Sequence, residues 1–237
     1  MIRPMASEPS PSPADPARAI TIAGETLHLL PAPAAWHPAA RTLFVADVHL
    51  GKAASYRALG QPVPAGTTAD NLRRLDALAR AHDAATIVFL GDLLHARAAH
   101  QAAVMAPLAA WRAAHAQRRC VLVRGNHDAR AGDPPPALGI EVVDEPWPVD
   151  GAAALRACHH PQAVDGAGVL AGHWHPATTL RGPARERQRL PCFCVIGALL
   201  VLPAFGAFTG ASPRRPPAQA RCYPVGAGRV WGEVAPG

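Results

Sequence analysis

The sequence predicts an α/β domain, with an alternating strand–helix half followed by a half of short strands. Three observations carry this reading. Between residues 43 and 123, three short apolar runs (LFVA, TIVFL and CVLV) alternate with two stretches of helical character. Strand, helix, strand, helix, strand is the pattern of an α/β sheet. Past the proline run at 134–136 long helical patterns stop and short strands crowd together, which predicts an antiparallel second half. Finally, each early strand runs into polar residues of metal-ligand type, as side chains at the carboxyl edge of a sheet would.

Taken in order, residues 1–18 are mostly Pro, Ser and Ala and predict a disordered tail. The remainder, 19–237, reads as one domain, with no internal repeat and no linker. Residues 20–30 alternate around Gly24 as a hairpin does. Residues 43–46 form a strand that opens the stretch LFVADVHLG, and residues 52–66 then give a short helix and a loop rich in Gly and Pro. Thr67 or Thr68 can cap a helix running to Ala81, with Leu72, Leu75 and Leu78 as its apolar stripe. Residues 86–90 are a strand ending in Gly91 and Asp92, residues 100–117 a helix, and residues 120–123 a strand ending in GNHD. Further strands are expected over 140–143, 154–158, 169–171, 193–196, 199–202, 221–225 and 229–234.

A chain of 237 residues can bury a substantial core. Its 49% hydrophobic and 17% charged residues are ordinary for a soluble protein. No apolar run approaches the roughly 20 residues of a membrane span, and Arg3 is followed by no apolar leader region. The expectation is a cytoplasmic protein without membrane contact. Five scattered cysteines within apolar runs read as buried free thiols, and Cys192 and Cys194 lack the second pair a zinc site needs. The formal charge is +6, and Lys52 is the only lysine among 23 basic residues. Arg cannot replace Lys where a compact point charge is required, which singles out Lys52. The positive balance mildly favours an anionic partner such as nucleic acid or phosphate.

The polar residues at strand ends are Asp47, His49, Asp92, Asn126, His127, His159, His173 and His175. Carboxylate, imidazole and amide without thiolate suit Mn²⁺, Fe or Zn²⁺ better than the oxygen-seeking Ca²⁺ or Mg²⁺. With His127 set aside, seven donors are too many for one catalytic ion that keeps an open position. They suit two ions sharing a carboxylate, with Asp92, alone at its strand end, as the bridge. Two ions roughly 3.5–4 Å apart can hold a hydroxide for in-line attack on a phosphoryl centre.

In this order, D-x-H, G-D, G-N-H-D, a later His and G-H-x-H resemble the calcineurin-like metallophosphoesterases, over about residues 41–176. The resemblance implies a four-layer αββα sandwich of two packed mixed sheets flanked by helices. It implies that Asp47, His49, Asp92 and His175 hold one metal and Asp92, Asn126, His159 and His173 the other. It further implies that His127 protonates the leaving oxygen, with Asp128 orienting it, while a metal-bound hydroxide attacks. His159-His160-Pro161 offers two candidates for one ligand, and the family's His-x-Pro pattern selects His159. A narrower resemblance rests on ADVHLGKAASYRALGQPVPAGTT, GHWHP, RLPCF and LPAFGAFTG, strings similar to those of the bacterial ligase-associated DNA damage response endonucleases. This implies a Mn²⁺-dependent phosphodiesterase that cuts DNA, single strands in preference, alongside a repair ligase and helicase. Two rivals stand beside it: a phosphoesterase acting on a small nucleotide, and a non-enzymatic scaffold, against which the complete ligand set argues.

Other residues carry two readings each. Lys52, Arg57 and Arg124 are candidates for contact with substrate phosphate, Arg124 with carboxylate pairing as its alternative, and His160 is a further candidate that more often is a neighbour of the ligand. His95 could line the groove, though a solvated histidine at a helix start is favoured. Arg181, Arg185, Arg187 and Arg189 could form a basic rim or a solvated hairpin tip. Trp174 could stack a base, with packing under the site favoured.

Overall fold

The computed structural model describes residues 16–182 and 186–237. The expected tail lies, but for Pro16, Ala17 and Arg18, outside the described residues, and so does Arg185. The first strand already includes Arg18.

Two sheets form the molecule. In the first, β1 (Arg18–Ile22), β2 (Glu25–Leu30), β3 (Ala34–His37) and β4 (Thr42–Val45) are joined antiparallel. From β4 onward β5 (Thr86–Phe89), β6 (Arg119–Val123) and β7 (Ile140–Val143) add in parallel. The crossovers carry α1 (Lys52–Ala58) and α2 (Thr67–Ala81), then α3 (Ala102–Ala114), then α4 (Asn126–Ala131). The second sheet contains β8 (Trp147–Pro148), β9 (Leu155–Ala157), β10 (Gly168–Ala171), β12 (Arg187–Ile196), β13 (Leu199–Val201), β14 (Arg221–Gly226) and β15 (Arg229–Val230). β11 (Ala177–Arg181) pairs with the outer part of β12.

Period-two alternation divides the core. Leu43, Val45, Ile87, Phe89 and Leu122 face outward onto Leu72, Leu75, Val104, Leu108 and Trp111 of α2 and α3. Their neighbours Phe44, Val88, Val121 and Val123 face inward and meet Leu170, Phe193, Val195 and Leu200 of the second sheet. Burial on both faces explains why β4, β5 and β6 read as unbroken apolar runs. The outer face of the second sheet carries a small buried cluster of its own, Cys192, Cys194, Val201, Ala220 and Cys222, with Val234 packed against it. All five cysteines are free and buried, as expected.

Three expectations need correction. The second half is not purely antiparallel: β10 pairs in parallel with β9 and β13, and β7 belongs to the first sheet. Close spacing of short strands suggested hairpins, but β11 and β12 intervene between β10 and β13. The cap of α2 is Gly66 in the left-handed region (φ 82°), not Thr67 or Thr68, which lie inside the helix. The third helix starts at Ala102 because Gln101 is extended, and a 3₁₀ turn, Arg97–His100, fills the gap. β3 and β11 carried too little pattern to be read from the sequence.

Candidate metal centre

All seven candidate donors and His127 come from loops at the carboxyl ends of β4, β5, β6, β9 and β10. The loops are zipped together by backbone bonds that continue the parallel ladder. Asp47 N–H donates to the Gly91 carbonyl (3.2 Å), His49 N–H to that of Asp92 (2.9 Å) and Leu50 N–H to that of Leu93 (2.8 Å). A strap from the chain's last third closes the ladder, with Phe205 N–H on the Ala46 carbonyl (2.8 Å) and Gly206 N–H on that of Asp47 (3.2 Å).

Three glycines let these loops close. A Cβ on Gly91 would sit 2.1 Å from His159 Nδ1, one on Gly125 would sit 2.3 Å from Asp92 Oδ1, and one on Gly172 would meet Asp47 Oδ2 at 2.8 Å. The glycines of G-D, G-N-H-D and G-H-x-H are thus the floor on which the donors rest.

Asp92 lies between two groups of donors. His49 Nε2 is 3.7 Å from its Oδ2 and His159 Nε2 is 3.5 Å from its Oδ1. On one side Asp47, His49 and His175 bring ligand atoms within 4.8 Å of one another, with His175 Nε2 3.4 Å from Asp47 Oδ1. On the other, His159 Nε2 lies 3.0 Å from Asn126 Oδ1 and 3.1 Å from His173 Nδ1. His159 Nδ1 faces the Leu90 carbonyl at 3.0 Å. That oxygen only accepts, so Nδ1 carries the proton and Nε2 keeps its lone pair for the site. Burial lowers the pKa values of His49 and His173, with help from neighbouring imidazoles, so both rings are held neutral as ligation requires. Burial also raises that of Asp92, against the pull of His159. Asp47 Oδ1 is buried and has no hydrogen-bond partner among the described residues. An orphaned carboxylate oxygen among neutral imidazole nitrogens is a donor set that a divalent cation fits and water-filled packing does not.

His127 enters from the amino end of α4. Its N–H donates to Asp92 Oδ1 (2.8 Å) and its Nδ1 to the His95 carbonyl (2.8 Å), and among the described residues Nε2 has no hydrogen bond. The His95 ring stacks on it, with centroids 4.7 Å apart and planes inclined by 19°, and His95 Nδ1 is 3.2 Å from His49 Nδ1. Burial, then His127 and Lys52, push the His95 imidazole down to about 4. His95 is therefore part of the site rather than a solvated helix-start residue. Its only sequence signal was a position three beyond Asp92. Asp128 does not touch the His127 ring. Fully buried, it accepts from Leu94 N–H (2.9 Å) and Gly125 N–H (3.0 Å), and so orients His127 only by fixing the backbone. Burial pushes its carboxyl up to about 7, against those two bonds.

The remaining candidates separate clearly. Lys52 stands at the rim, its Nζ donating to the Thr209 carbonyl (3.0 Å), and burial lowers its pKa against the pull of Asp47 and Asp92. Arg57 donates to the Pro64 carbonyl (3.0 Å) and pins the loop after α1. Arg124 is committed to Asp133 through two nitrogens (3.0 and 2.9 Å) and to Asp144 (2.5 Å). Carboxylates take up the Arg124 guanidinium, which is therefore not arranged for substrate contact, whereas the exposed Arg57 is tied by one nitrogen only. His160 pairs with Glu145 (2.6 Å), whose other oxygen accepts from the N–H groups of His159 and His160. Glu145 thus sets the loop that presents His159, a role no sequence motif announced. Trp174 is exposed, so packing beneath the site is not its role. Arg181 and Arg187 face each other in register on the β11–β12 hairpin, both exposed, while Arg189 is bonded to the Ser212 carbonyl.

Two donor groups on either side of a buried carboxylate, with Asp47, His49 and His159 buried and His173 open to solvent, lie at the loop edge of an α/β sandwich, as in a metal-dependent hydrolase of phosphoesters. The chain belongs to the calcineurin-like phosphoesterase family, whose profile matches residues 40–173. Among solved structures it is similar to the nuclease MPE of Pseudomonas putida, with 46% identity over 92% of this chain and all of that one, and a TM-score of 0.77. It also matches YfcE, a phosphoesterase of E. coli, at 16% identity over 82% of this chain and 98% of that one, with a TM-score of 0.42. No match was found among curated proteins.

Proposed function

We propose that the protein is a binuclear metal-dependent phosphodiesterase that cuts DNA, single strands in preference, in cytoplasmic DNA repair beside a ligase and helicase. The observation that carries the nuclease reading is the 46% identity, across nearly the whole chain, to a protein named as a nuclease. Asp47, His49, Asp92 and His175 would hold one ion and Asp92, Asn126, His159 and His173 the other, Mn²⁺ being the metal that best suits this mixed donor set. Bound there, the ions supply the Lewis acidity that activates water and neutralises charge on the phosphoryl oxygens.

The chain's own residues do the rest. His95 fixes His127 in the tautomer with hydrogen on Nδ1. When His127 is protonated, Nε2–H is the one donor of that ring left for a leaving alkoxide, which is the position of a general acid. Asp128 and Gly125 hold the turn so that His127 N–H stays on Asp92. Asn126, one residue earlier, faces the His159 side of the site. One turn of α4 therefore supplies both a donor and the acid.

A Mn²⁺-supported assay on single-stranded circular DNA, duplex DNA and a diadenosine polyphosphate, with Asp92→Ala as control, tests the reading. Fastest cleavage of the single-stranded circle, lost in the variant, is the expected result. Hydrolysis of the small nucleotide with both DNAs untouched would replace it with the small-nucleotide rival.

A further inference from the structure

The loop that carries His173 and His175 also forms one wall of a second concavity. A cavity of about 390 Å³ opens beside the donor groups, bordered by His173, Trp174, Pro176, Ser212, Arg214 and Arg215. Its size is right for a nucleotide. Trp174 is 36% exposed, one of only three large hydrophobic side chains left in solvent among the described residues. An indole there offers a flat face that a nucleobase can cover. Arg214 and Arg215 are both exposed. Among the described residues neither guanidinium has a hydrogen bond or ion pair, whereas Arg119 and Arg124 are each held by two carboxylates.

The segment that carries the two arginines is held in place. Ser212 N–H donates to the His175 carbonyl (2.9 Å), Arg214 N–H to the Ser212 hydroxyl (3.2 Å), and the Arg189 guanidinium to the Ser212 carbonyl. Two unpaired cations are thus mounted on a strap bonded directly to the donor loop, across a cavity from an exposed tryptophan.

The geometry points to a nucleotide subsite here: the base next to the scissile phosphate stacks on Trp174, while Arg214 and Arg215 hold the flanking phosphates. The inference rests on the polynucleotide reading above and gives it a physical source of strand preference. In a duplex both faces of a base are covered by its neighbours, so only an unpaired nucleotide can swing onto the indole.

The test compares Mn²⁺-supported cleavage of a single-stranded oligonucleotide with hydrolysis of bis(p-nitrophenyl) phosphate, for the full chain and for Trp174→Ala, Trp174→Phe and the double variant Arg214→Ala/Arg215→Ala. Trp174→Ala should raise KM for the oligonucleotide about tenfold, and by clearly more than for the small ester, with Trp174→Phe recovering most of the loss. The double variant should flatten the log–log salt dependence of oligonucleotide kcat/KM by about 1.4, the slope owed to two single-strand phosphates. Oligonucleotide KM values and salt slopes matching those of the unaltered chain would overturn the subsite and leave the nuclease reading intact. An unaltered chain that hydrolyses the small ester but not the oligonucleotide would overturn both.

Discussion

Asp47, His49, Asp92, His173 and His175 all have φ between 46° and 68°, the left-handed region that L-residues other than glycine rarely occupy. Five of the seven candidate donors are therefore held in costly backbone conformations, on the order of 1–3 kcal/mol each. Such strain persists only where surrounding bonds over-determine it, and here the β4 and β5 loops and the 205–206 strap supply them. The glycines beneath the donors are the most sensitive positions. Gly91→Ala combines a φ of 77° with a Cβ 2.1 Å from His159 Nδ1, so the imidazole must move. Mn²⁺ affinity, titrated calorimetrically, should fall by at least about tenfold; an unchanged affinity would remove His159 from the ligand set. His127→Ala should slow DNA cleavage by about 10²–10⁴-fold and barely affect nitrophenyl esters, whose leaving group needs no proton. Equal losses on the two substrates would reject its role as acid.

At the scale of elements, the short helix α4 shows how a motif organises a loop. G-N-H-D looks from sequence like four residues aimed at one site. In the fold only Asn126 and His127 face it, and Asp128 turns inward to hold Leu94 N–H and Gly125 N–H. Asp128→Ala leaves two buried donors without partners and should cost about 2–5 kcal/mol. Asp128→Asn retains one acceptor and should cost less, a ranking that urea denaturation can check; equal stability of both variants would contradict it. Strands whose faces are both buried, β4, β5 and β6, were legible because their runs are continuous and apolar. β3 (AAWH) and β11 (ATTLR) were not, since four or five residues of mixed character carry no period and owe their conformation to the strands they pair with.

At the scale of the molecule, two sheets share the inner core, and adjacent loops of the first hold Asp47 and Asp92 together below the surface. Without a cation these carboxylates repel each other in a desolvated setting, so metal binding and folding stability are linked. For each site, Mn²⁺ at a hundred times its Kd should add about 2.7 kcal/mol. Thermal melts with Mn²⁺ and with EDTA should therefore differ by several degrees, and Asp47→Asn should shrink the difference. Coincident melts would mean that no ion is held. No helix among the described residues is long and apolar enough to cross a membrane.

By itself the sequence determined the alternation of strand and helix, the end of each strand at which chemistry would lie, and the order of donors that marks the family. Those features are assembled from local signals: each strand end is written in a run of fewer than ten residues, where apolar pattern, glycine and ligand type stand side by side, and the order along the chain adds the rest. Only the tertiary structure decided which candidates serve the site. Arg124 was withdrawn by partners 9 and 20 residues away. His95 was drawn in through a partner 32 residues away, and Trp174 and Arg214 now face one cavity from segments forty residues apart. Such pairings depend on how loops from two sheets meet, and side-chain partners chosen across that distance leave no spacing in the chain to read.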